Sequence, residues 1–336
     1  MKKSLRKREA MRKLNKKNLV YLLIGVFVFA LLINLPNLTS RYILRVLNQT
    51  LITYINVLSL YVVFGMAGQT SFAQCGLYGI GAYITANVAT RAGLPPLVAV
   101  VASMAGTALF AFIIGGALFR LKRFYFTFAT IGLMMILNGI FANWTAGTGG
   151  PAGMGNLVQF SIGSYVFDTE KHYFFLILFC ALLVTLVSWL IYRSVLGRSF
   201  MAIRDDELAA NCMGINSLLT KDIAFAISGA MCGLAGSLFA FLAGYISATS
   251  FDLSQSQLYL VMIMLGGSSS PLGAAIGSLL LSLMPEWFRF LKDYMLLVYG
   301  VGIMVLMVVL PEGLVGGIKD LYEKRSHRKQ SYSDAS

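Results

Sequence analysis

Long stretches without charged residues are the feature that most limits what this chain can fold into. An apolar run of about 18 residues or more is long enough to cross a bilayer as a helix. Of the 336 residues, 57% are hydrophobic and only 12% are charged, against about 25% charged in typical soluble domains. The chain is therefore predicted to be an integral membrane protein. The charge-free runs lie between Arg45 and Arg91, Arg91 and Arg120, Arg123 and Asp168, Asp222 and Asp252, and Asp252 and Glu286.

The apolar runs predict an all-α polytopic membrane protein with about eight full spans. The run near residues 19–36 follows a basic segment, as in a signal peptide. It is longer than the usual apolar core of such a peptide and ends in Leu-Pro-Asn-Leu, so it is interpreted as a retained span. The predicted spans lie near residues 19–36, 43–65, 76–91, 96–119, 124–142, 172–192, 223–247 and 294–310.

The net charge of +13 is concentrated at the two ends of the chain. Nine Lys or Arg residues lie within residues 1–17, and five more lie between Lys319 and Lys329. Because basic segments stay on the cytoplasmic side of a membrane, this distribution predicts cytoplasmic termini rather than nucleic-acid binding. The predicted organisation is a basic tail (residues 1–18), a transmembrane domain (19–317) with a cytoplasmic loop (193–222) and an extracytoplasmic loop (143–171), and a second basic tail (318–336).

Cytoplasmic termini constrain the region between residues 257 and 284. If the chain leaves the cytoplasm by residue 247 and returns by residue 310, this region must begin and end on the same side. It is therefore predicted to form two short helices, 258–265 and 274–284, separated by a Gly/Ser-rich break at residues 266–273. Neither helix is long enough to cross a hydrocarbon core of about 30 Å. Irregular backbone at that depth requires surrounding protein or a water-filled cavity.

A similar Gly-rich interruption lies in the first half of the chain, at residues 68–83. Paired broken segments in two pseudo-repeated halves indicate a transport path, because loosened backbone supplies hydrogen bonds at the midplane. Close helix packing is the alternative interpretation for the individual glycines, and it is favoured for them. The polar Gln69, Ser71 and Gln74 are expected to face a cavity or a helix interface rather than lipid.

Residues 197–216 are predicted to contain a short exposed helix outside the membrane. Asp205 is the expected N-cap, Asp206 and Glu207 suit the positive end of the helix dipole, and Gly214 is the expected stop. Such a short helix is marginal alone, so its expected support is a groove on a soluble partner protein. Docking on lipid headgroups is the alternative, but the acidic cluster disfavours an anionic leaflet.

Several segments, in order along residues 48–317, resemble the second type of permease subunit (the LivM type) in branched-chain amino acid ABC importers. The sequence departs from that family at Ala73-Gln74, where Gly-His is common, and at Ser269-Ser270-Pro271, where Gly-Ser is usual. The segments that carry the resemblance are Gly68 to Tyr83, Ala202-Ile-Arg-Asp-Asp-Glu-Leu-Ala-Ala210, Gly214-Ile-Asn216, Lys221 to Gly236, Leu265-Gly-Gly267 with Gly273 and Gly277, and Pro311-Glu-Gly-Leu-Val-Gly316.

The resemblance implies a bacterial inner-membrane subunit without catalysis or cofactor of its own. It implies two cytoplasmic ATPases that use ATP and Mg²⁺, a second related permease, and an extracytoplasmic binding protein that contacts the loop Thr145–Asn156. Membrane lipid surrounds such a subunit. The residues expected to couple to the ATPases are Ala202, Arg204, Asp205, Asp206, Glu207, Ala209, Ala210 and Gly214. Those expected along the translocation path are Gly68, Gln69, Ser71, Gln74, Gly79, Gly81, Gly266, Gly267, Ser268, Ser269, Ser270 and Gly273.

Three other functions are weighed against this one. A urea or amide importer would use a similar permease, and the low charge of the path does not separate the two substrate classes. A proton-coupled carrier needs intramembrane Asp, Glu or His, which the predicted spans lack in their interiors, although sodium coupling stays open. An enzyme would need an activated nucleophile, paired carboxylates or a metal cluster. The four scattered cysteines and two histidines show no metal-ligand or disulfide pattern.

Overall fold

The computed structural model describes residues 40–163, 165–268 and 270–287, together with the isolated positions 294, 297, 300, 301 and 304. The chain divides into two compact units, Met1–Val46 and Leu47–Ser336. Of the first unit, the described part is residues 40–46, which include the start of helix α1. The predicted span at 19–36 lies outside the described residues, and the one at 294–310 is described only at those isolated positions.

The described elements are almost all helical. Two of the helices continue as π-helical turns, α1 through Tyr61–Met66 and α2 through Asn87–Arg91. The α-helices are α1 (Arg41–Leu60), α2 (Gln74–Ala86), α3 (Pro96–Leu118), α4 (Arg123–Asn143), α5 (Thr145–Thr148), α6 (Glu170–Arg193), α7 (Val195–Asp205), α8 (Glu207–Cys212), α9 (Ser217–Ala243), α10 (Leu253–Gly266) and α11 (Pro271–Trp287). Short 3-10 turns cover Gly150–Ala152 and Ala248–Ser250, and a two-stranded antiparallel hairpin pairs β1 (Ser161–Ile162) with β2 (Tyr165–Val166).

The all-α polytopic class is confirmed, whereas the count of eight spans is not. Within the described residues, five helices are long and apolar enough to cross a membrane. They match the spans predicted at 43–65, 96–119, 124–142, 172–192 and 223–247. The broken pair predicted near residues 258–284 is also present, with α10 and α11 bent by 120° from one another. Both helices are longer than predicted: α10 begins five residues earlier and includes Gly266, and α11 begins at Pro271, includes Gly273 and ends at Trp287.

The span predicted at residues 76–91 is a short interior helix. The α-helical part, α2, has 13 residues and is about 20 Å long. Of these 13 residues, 11 are buried, including the polar Gln74 and Thr85. A short helix with polar side chains is tolerated at membrane depth when protein surrounds it.

Helix α9 forms the centre of the Leu47–Ser336 unit and packs closely on α2 and α3. A Cβ atom at Gly233 would lie 2.7 Å from the Ser103 carbonyl oxygen, so only glycine allows this approach. The Ser103 hydroxyl contacts the carbonyls of Gly81 (2.9 Å) and Gly233 (2.8 Å), which joins the three helices. The Thr85 and Ser237 hydroxyls lie 2.7 Å apart in the same interface.

Helix α9 also begins six residues earlier than the predicted span, because the Asn216 side chain caps it by accepting a hydrogen bond from the Leu219 N–H. As a result, Lys221 and Asp222 lie inside the helix and not in the preceding loop. Both are buried, with 6% of each residue exposed. The expectation that the spans carry no interior acidic residue is therefore wrong at Asp222, whose carboxylate lies against Gly115 of α3.

Candidate translocation path and linker helices

The first break is the irregular segment Ala67–Ala73 between the π-helical end of α1 and the start of α2. Gly68 has a φ of +68°, a left-handed conformation that favours glycine. The Gln69 N–H bonds the Val63 carbonyl at 2.9 Å. In a continuing α-helix the same N–H would bond the Gly65 carbonyl. This six-residue bond leaves the Gly65 carbonyl without the Gln69 N–H as its partner.

Side chains from two helices and from the break itself supply hydrogen bonds to the backbone around the first break. The Phe72 N–H donates to the Thr130 hydroxyl of α4 at 3.1 Å, and the Cys75 N–H donates to the Ser256 hydroxyl of α10 at 3.1 Å. Within the break, the Ala73 N–H donates to the Ser71 hydroxyl at 3.2 Å. These bonds replace the intrahelical bonds that the interruption removes.

Gln74, the first residue of α2, is the centre of a buried polar cluster. The carbonyl oxygen of its side chain accepts hydrogen bonds from the Ser228 hydroxyl (3.1 Å), the Cys232 thiol (3.1 Å) and the Ser59 hydroxyl (3.4 Å). All four side chains are completely buried. None of the described residues bonds the Gln74 amide nitrogen. The sequence signal that would have found this cluster is the polar i, i+4 pair Ser228 and Cys232 beside the glycines of α9.

The structure places the polar path candidates of the first break in the protein interior. Gln69 is 4% exposed, and Ser71 and Gln74 are fully buried, as expected for residues kept away from lipid. Gly79 lies against the Phe141 ring, and Gly81 lies against the Gly233 backbone. The packing interpretation accounts for these two glycines. Their part in a translocation path stays a prediction.

The second break is the turn at residues 267–270 between α10 and α11, of which Ser269 lies outside the described residues. Gly267 has a φ of +107°. A side chain at Gly266 would overlap the Gly273 carbonyl, and one at Gly277 would overlap the Met262 carbonyl. The two helices therefore approach with backbone against backbone. Around the turn itself, the Gly273 N–H donates to the Ser270 hydroxyl at 3.3 Å.

Segments from the two halves of the chain meet at Gly65, two residues before the first break. A Cβ atom on Gly65 would lie 2.6 Å from the Ser268 carbonyl oxygen of the second break. The Cys75–Ser256 hydrogen bond adds a link between α2 and α10. The two Gly-rich interruptions, which the sequence paired only by analogy, are thus neighbours in space.

The linker helices are α7 and α8, which join the long helices α6 and α9. The sequence predicted one helix here with Asp205 as its N-cap, and this prediction is wrong. Asp205 is the last residue of α7, and the Asp206 carboxylate caps α8 by accepting hydrogen bonds from the N–H groups of Leu208 (2.9 Å) and Ala209 (3.1 Å). Gly214 does follow the end of α8 with a φ of +86°.

The linker helices contact the membrane-spanning helices through one face only. Phe200 and Ile203 of α7 are 0% and 3% exposed, and Ala210 of α8 is 5% exposed. On the other face, Leu208 and Met213 are 78% and 85% exposed. The Glu207 carboxylate pairs with the Lys221 ammonium at 2.6 Å and fixes α8 to the start of α9.

Arg204 connects the linker helices to the π-helical end of α1. One guanidinium nitrogen, Nη1, donates to the Gly65 carbonyl at 2.7 Å, while Nε and Nη2 lie 3.3 Å from the Asp205 carboxylate. A cavity of about 270 Å³ beside this contact is lined by Gln69 and by residues 203–208. The sequence placed Arg204 in the coupling loop but gave no signal of its contact with α1, which is 139 residues away.

The opposite end of the long helices carries the residue 143–171 loop and a cleft of about 590 Å³ between α2, α3 and α4. The loop is attached to the segment after α9 by a backbone pair, in which Met154 and Ile246 exchange N–H···O bonds of 2.9 Å. Trp144, Tyr165 and Tyr245 are each at least half exposed here. The hairpin of β1 and β2 was not predicted, because its two-residue strands are too short to show an alternating pattern.

No cluster of three or more His, Cys, Asp or Glu side chains suited to a metal ion occurs in the part of the chain that the structure describes. The buried cysteines Cys75 and Cys232 carry free thiols, as do Cys180 and Cys212. The polar groups that converge at the breaks are hydroxyls, amides and backbone carbonyls. Such groups suit hydrogen bonding to a passing solute or to one another.

In sequence, the chain is similar to known permease components of transport systems. A family model described as the permease component of a branched-chain amino acid transport system matches residues 42–310. The chain is 32% identical, over 86% of its own length and 74% of theirs, to the high-affinity branched-chain amino acid transport system permease protein LivM of Salmonella typhimurium and of Escherichia coli. It is 30% identical to the autoinducer 2 import system permease protein LsrC of Salmonella paratyphi B, over 46% of this chain and 44% of that protein. No solved structure matches the chain.

Proposed function

The chain belongs to the family of branched-chain amino acid transport system permease components, and from this membership we propose that it is a permease subunit of an ATP-driven importer. The proposed substrates are branched-chain amino acids, by similarity to the two LivM proteins. The proposed partners are two cytoplasmic ATPases, a second related permease and an extracytoplasmic binding protein. ATP and Mg²⁺ belong to the ATPases in this proposal, and the subunit itself is not an enzyme.

The observation that carries the coupling part of the proposal is the exposed face of α8. Leu208 in α8 and Met213, the residue that follows α8, are 78% and 85% exposed. With six residues, α8 is too short to be stable alone. The other side of the helix is held by the Glu207–Lys221 pair and by the buried Ala210. A fixed helix that presents two large apolar side chains suits insertion into a groove of a protein partner.

The distribution of basic residues supports the proposed orientation. Asp222 of α9 lies against Gly115 near the end of α3, so the α3–α4 turn and the linker helices lie at the same end of the molecule. That turn contains Arg120 and Lys122, and α7 contains Arg198 and Arg204. Basic residues mark the cytoplasmic side of membrane proteins. We therefore assign the linker helices, and with them the chain termini, to the cytoplasm.

The opposite end then faces outward. Its exposed Trp144, Tyr165 and Tyr245 and the loop Thr145–Asn156 suit contact with a binding protein, because exposed aromatic residues are enriched at interfaces. The path itself would pass the two breaks, where loosened backbone and the polar cluster at Gln74 lie together. Neither break contains a charged residue, which suits a zwitterionic solute of no net charge.

The test is purification of the tagged chain from its native host in mild detergent. We expect two ATPase subunits and a second permease to co-purify, and ATP hydrolysis to be detectable. Leu208→Asp should remove the ATPases from the complex. The matched control is Val166→Asp in β2, an apolar residue 47% exposed at the far end of α6, which should retain them. Recovery of the unmodified chain alone, from conditions that keep a known importer intact, would contradict the proposal.

The substrate class is tested separately with the complex reconstituted in liposomes with its binding protein. We expect uptake of labelled leucine, isoleucine or valine that depends on ATP. Uptake of urea in place of these amino acids would leave the importer proposal standing and replace its substrate class.

A further inference from the structure

Three segments that are distant in sequence meet at the backbone of Gly65. The carbonyl oxygen of Gly65 accepts a hydrogen bond of 2.7 Å from Arg204 of α7. Its α-carbon faces the second break, where a Cβ atom would lie 2.6 Å from the Ser268 carbonyl oxygen. Gly65 itself belongs to the π-helical turn that leads into the first break. One residue therefore contacts the linker helices and both interruptions.

The Gly65 carbonyl has two possible donors, and the backbone register decides between them. In an α-helical register its partner would be the Gln69 N–H. In the observed structure that N–H bonds the Val63 carbonyl, six residues earlier and just past the π-helical turn, and the Arg204 guanidinium bonds Gly65 instead. Single π-helical turns are frequent at functional sites, and a change of register there displaces the following residues. The first break begins at Ala67, two residues after Gly65.

Arg204 is well placed to respond to a movement of α8. It lies two residues before Asp206, the N-cap of α8, and its other guanidinium nitrogens lie 3.3 Å from Asp205. The neighbouring Ile203 is buried, so α7 is anchored to the long helices rather than free in solvent. The Arg204 side chain is 37% exposed, which leaves room for the guanidinium to release Gly65 into water.

We propose that Arg204 is a positioning residue that, through the Gly65 carbonyl, holds the end of α1 in the arrangement in which the Gln69 N–H bonds Val63, and so transmits movement of α8 to both breaks. This inference rests on the proposed function, because it needs an ATPase to move α8. When α8 moves, Arg204 leaves Gly65, and the Gln69 N–H becomes its alternative donor. Ser268 lies against Gly65, so the second break moves with the first.

The experiment measures substrate transported for each ATP hydrolysed by the complete complex, with its ATPases and binding protein, in liposomes. Arg204→Gln should lower this ratio at least about fivefold while the ATPases stay bound, as expected for a lost coupling free energy of 1 kcal/mol or more. Arg204→Lys should restore part of the ratio, since an ammonium group also donates to a carbonyl. The matched control is Arg198→Gln on the same helix, because the Arg198 side chain donates to the carbonyl of Arg193, the last residue of α6.

Each outcome bears on a different claim. If the unmodified complex transports no substrate with ATP, the proposed function fails and not this inference. If it does transport, and Arg204→Gln keeps the ratio of Arg198→Gln, the inference is overturned. If the Arg204→Gln complex does not assemble, Asp205→Asn tests the same contact. Asp205 is exposed, and its carboxylate orients the Arg204 guanidinium, so the substitution loosens that orientation. A ratio unchanged in that variant and in Arg204→Lys would also overturn the inference.

Discussion

The two breaks interrupt their helices in different ways. The first break is closed by side chains: hydroxyls of Thr130, Ser71 and Ser256 accept hydrogen bonds from the free N–H groups in and beside it. The second break is closed mainly by backbone, because α10 and α11 meet at glycines with no side chain between them. Hydroxyl hydrogen bonds can be exchanged for others at little cost, whereas interlocked backbones cannot shift without separating the helices. The first break is thus internally adjustable, whereas the second is internally rigid and can move only as a unit.

The largest effect is expected from Gly266→Ala in the second break. The added methyl group would overlap the Gly273 carbonyl, and overpacking against backbone costs about 3 kcal/mol or more. We expect a strong loss of folded protein in detergent, measured by size-exclusion recovery after heating. The control is Gly132→Ala in α4, which makes the same chemical change where a Cβ atom meets no neighbour. It should be neutral or slightly stabilising. Equal behaviour of the two variants would contradict a rigid second break.

A smaller effect is expected from Gln74→Ala beside the first break. Three buried donors lose their common acceptor, and an unsatisfied buried polar group costs about 1–3 kcal/mol. The midpoint of thermal unfolding should fall clearly. Gln69→Ala is the comparison, because the only hydrogen bond given by the Gln69 amide nitrogen in the described structure is a 3.3 Å bond to the nearby Ala67 carbonyl. If Gln69→Ala were the more harmful change, the cluster at Gln74 would not be what stabilises the start of α2.

The smallest effect is expected from Thr130→Val. It removes the acceptor of the Phe72 N–H and should cost about 1 kcal/mol, because the adjustable first break can recruit another acceptor or water. Thr130→Ser keeps the hydroxyl and should retain nearly all of the stability. The measurement is the thermal midpoint of both variants in the same detergent. A loss from Thr130→Val as large as that from Gly266→Ala would remove the distinction between the two breaks.

Periodicity and charge in the sequence predicted those elements that depend on residues close together in the chain. Five spans, the broken pair and the stop at Gly214 depend on apolar length, on Gly/Ser content and on the left-handed conformation of glycine, all of which can be recognised in a single segment. The choice between Asp205 and Asp206 as N-cap could not be predicted, because both carboxylates precede the same short helix. In the structure α7 continues through Asp205, and the Asp206 carboxylate accepts the N–H bonds at the start of α8.

The contacts of the candidate site lie beyond what a single sequence predicts. Gln74 meets Ser228 across 154 residues, and Arg204 meets Gly65 across 139. Neither pairing leaves a pattern in a single segment of the sequence. The helix packing that brings these residues together depends on glycines whose contact partners are also far away in the sequence. The inclusion of Asp222 in α9 has the same origin: its carboxylate fits against Gly115, which has no side chain to exclude it.

The distance between Gln74 and its partners on α9 has a consequence for how the protein is made. Ribosomes add about 5–20 residues each second, so α9 emerges roughly 8–30 s after α2. During that interval the buried amide of Gln74 and the hydroxyl of Thr85 lack the Ser228 and Ser237 groups that contact them in the finished protein. The early helices therefore gain these polar contacts only after α9 has been synthesised.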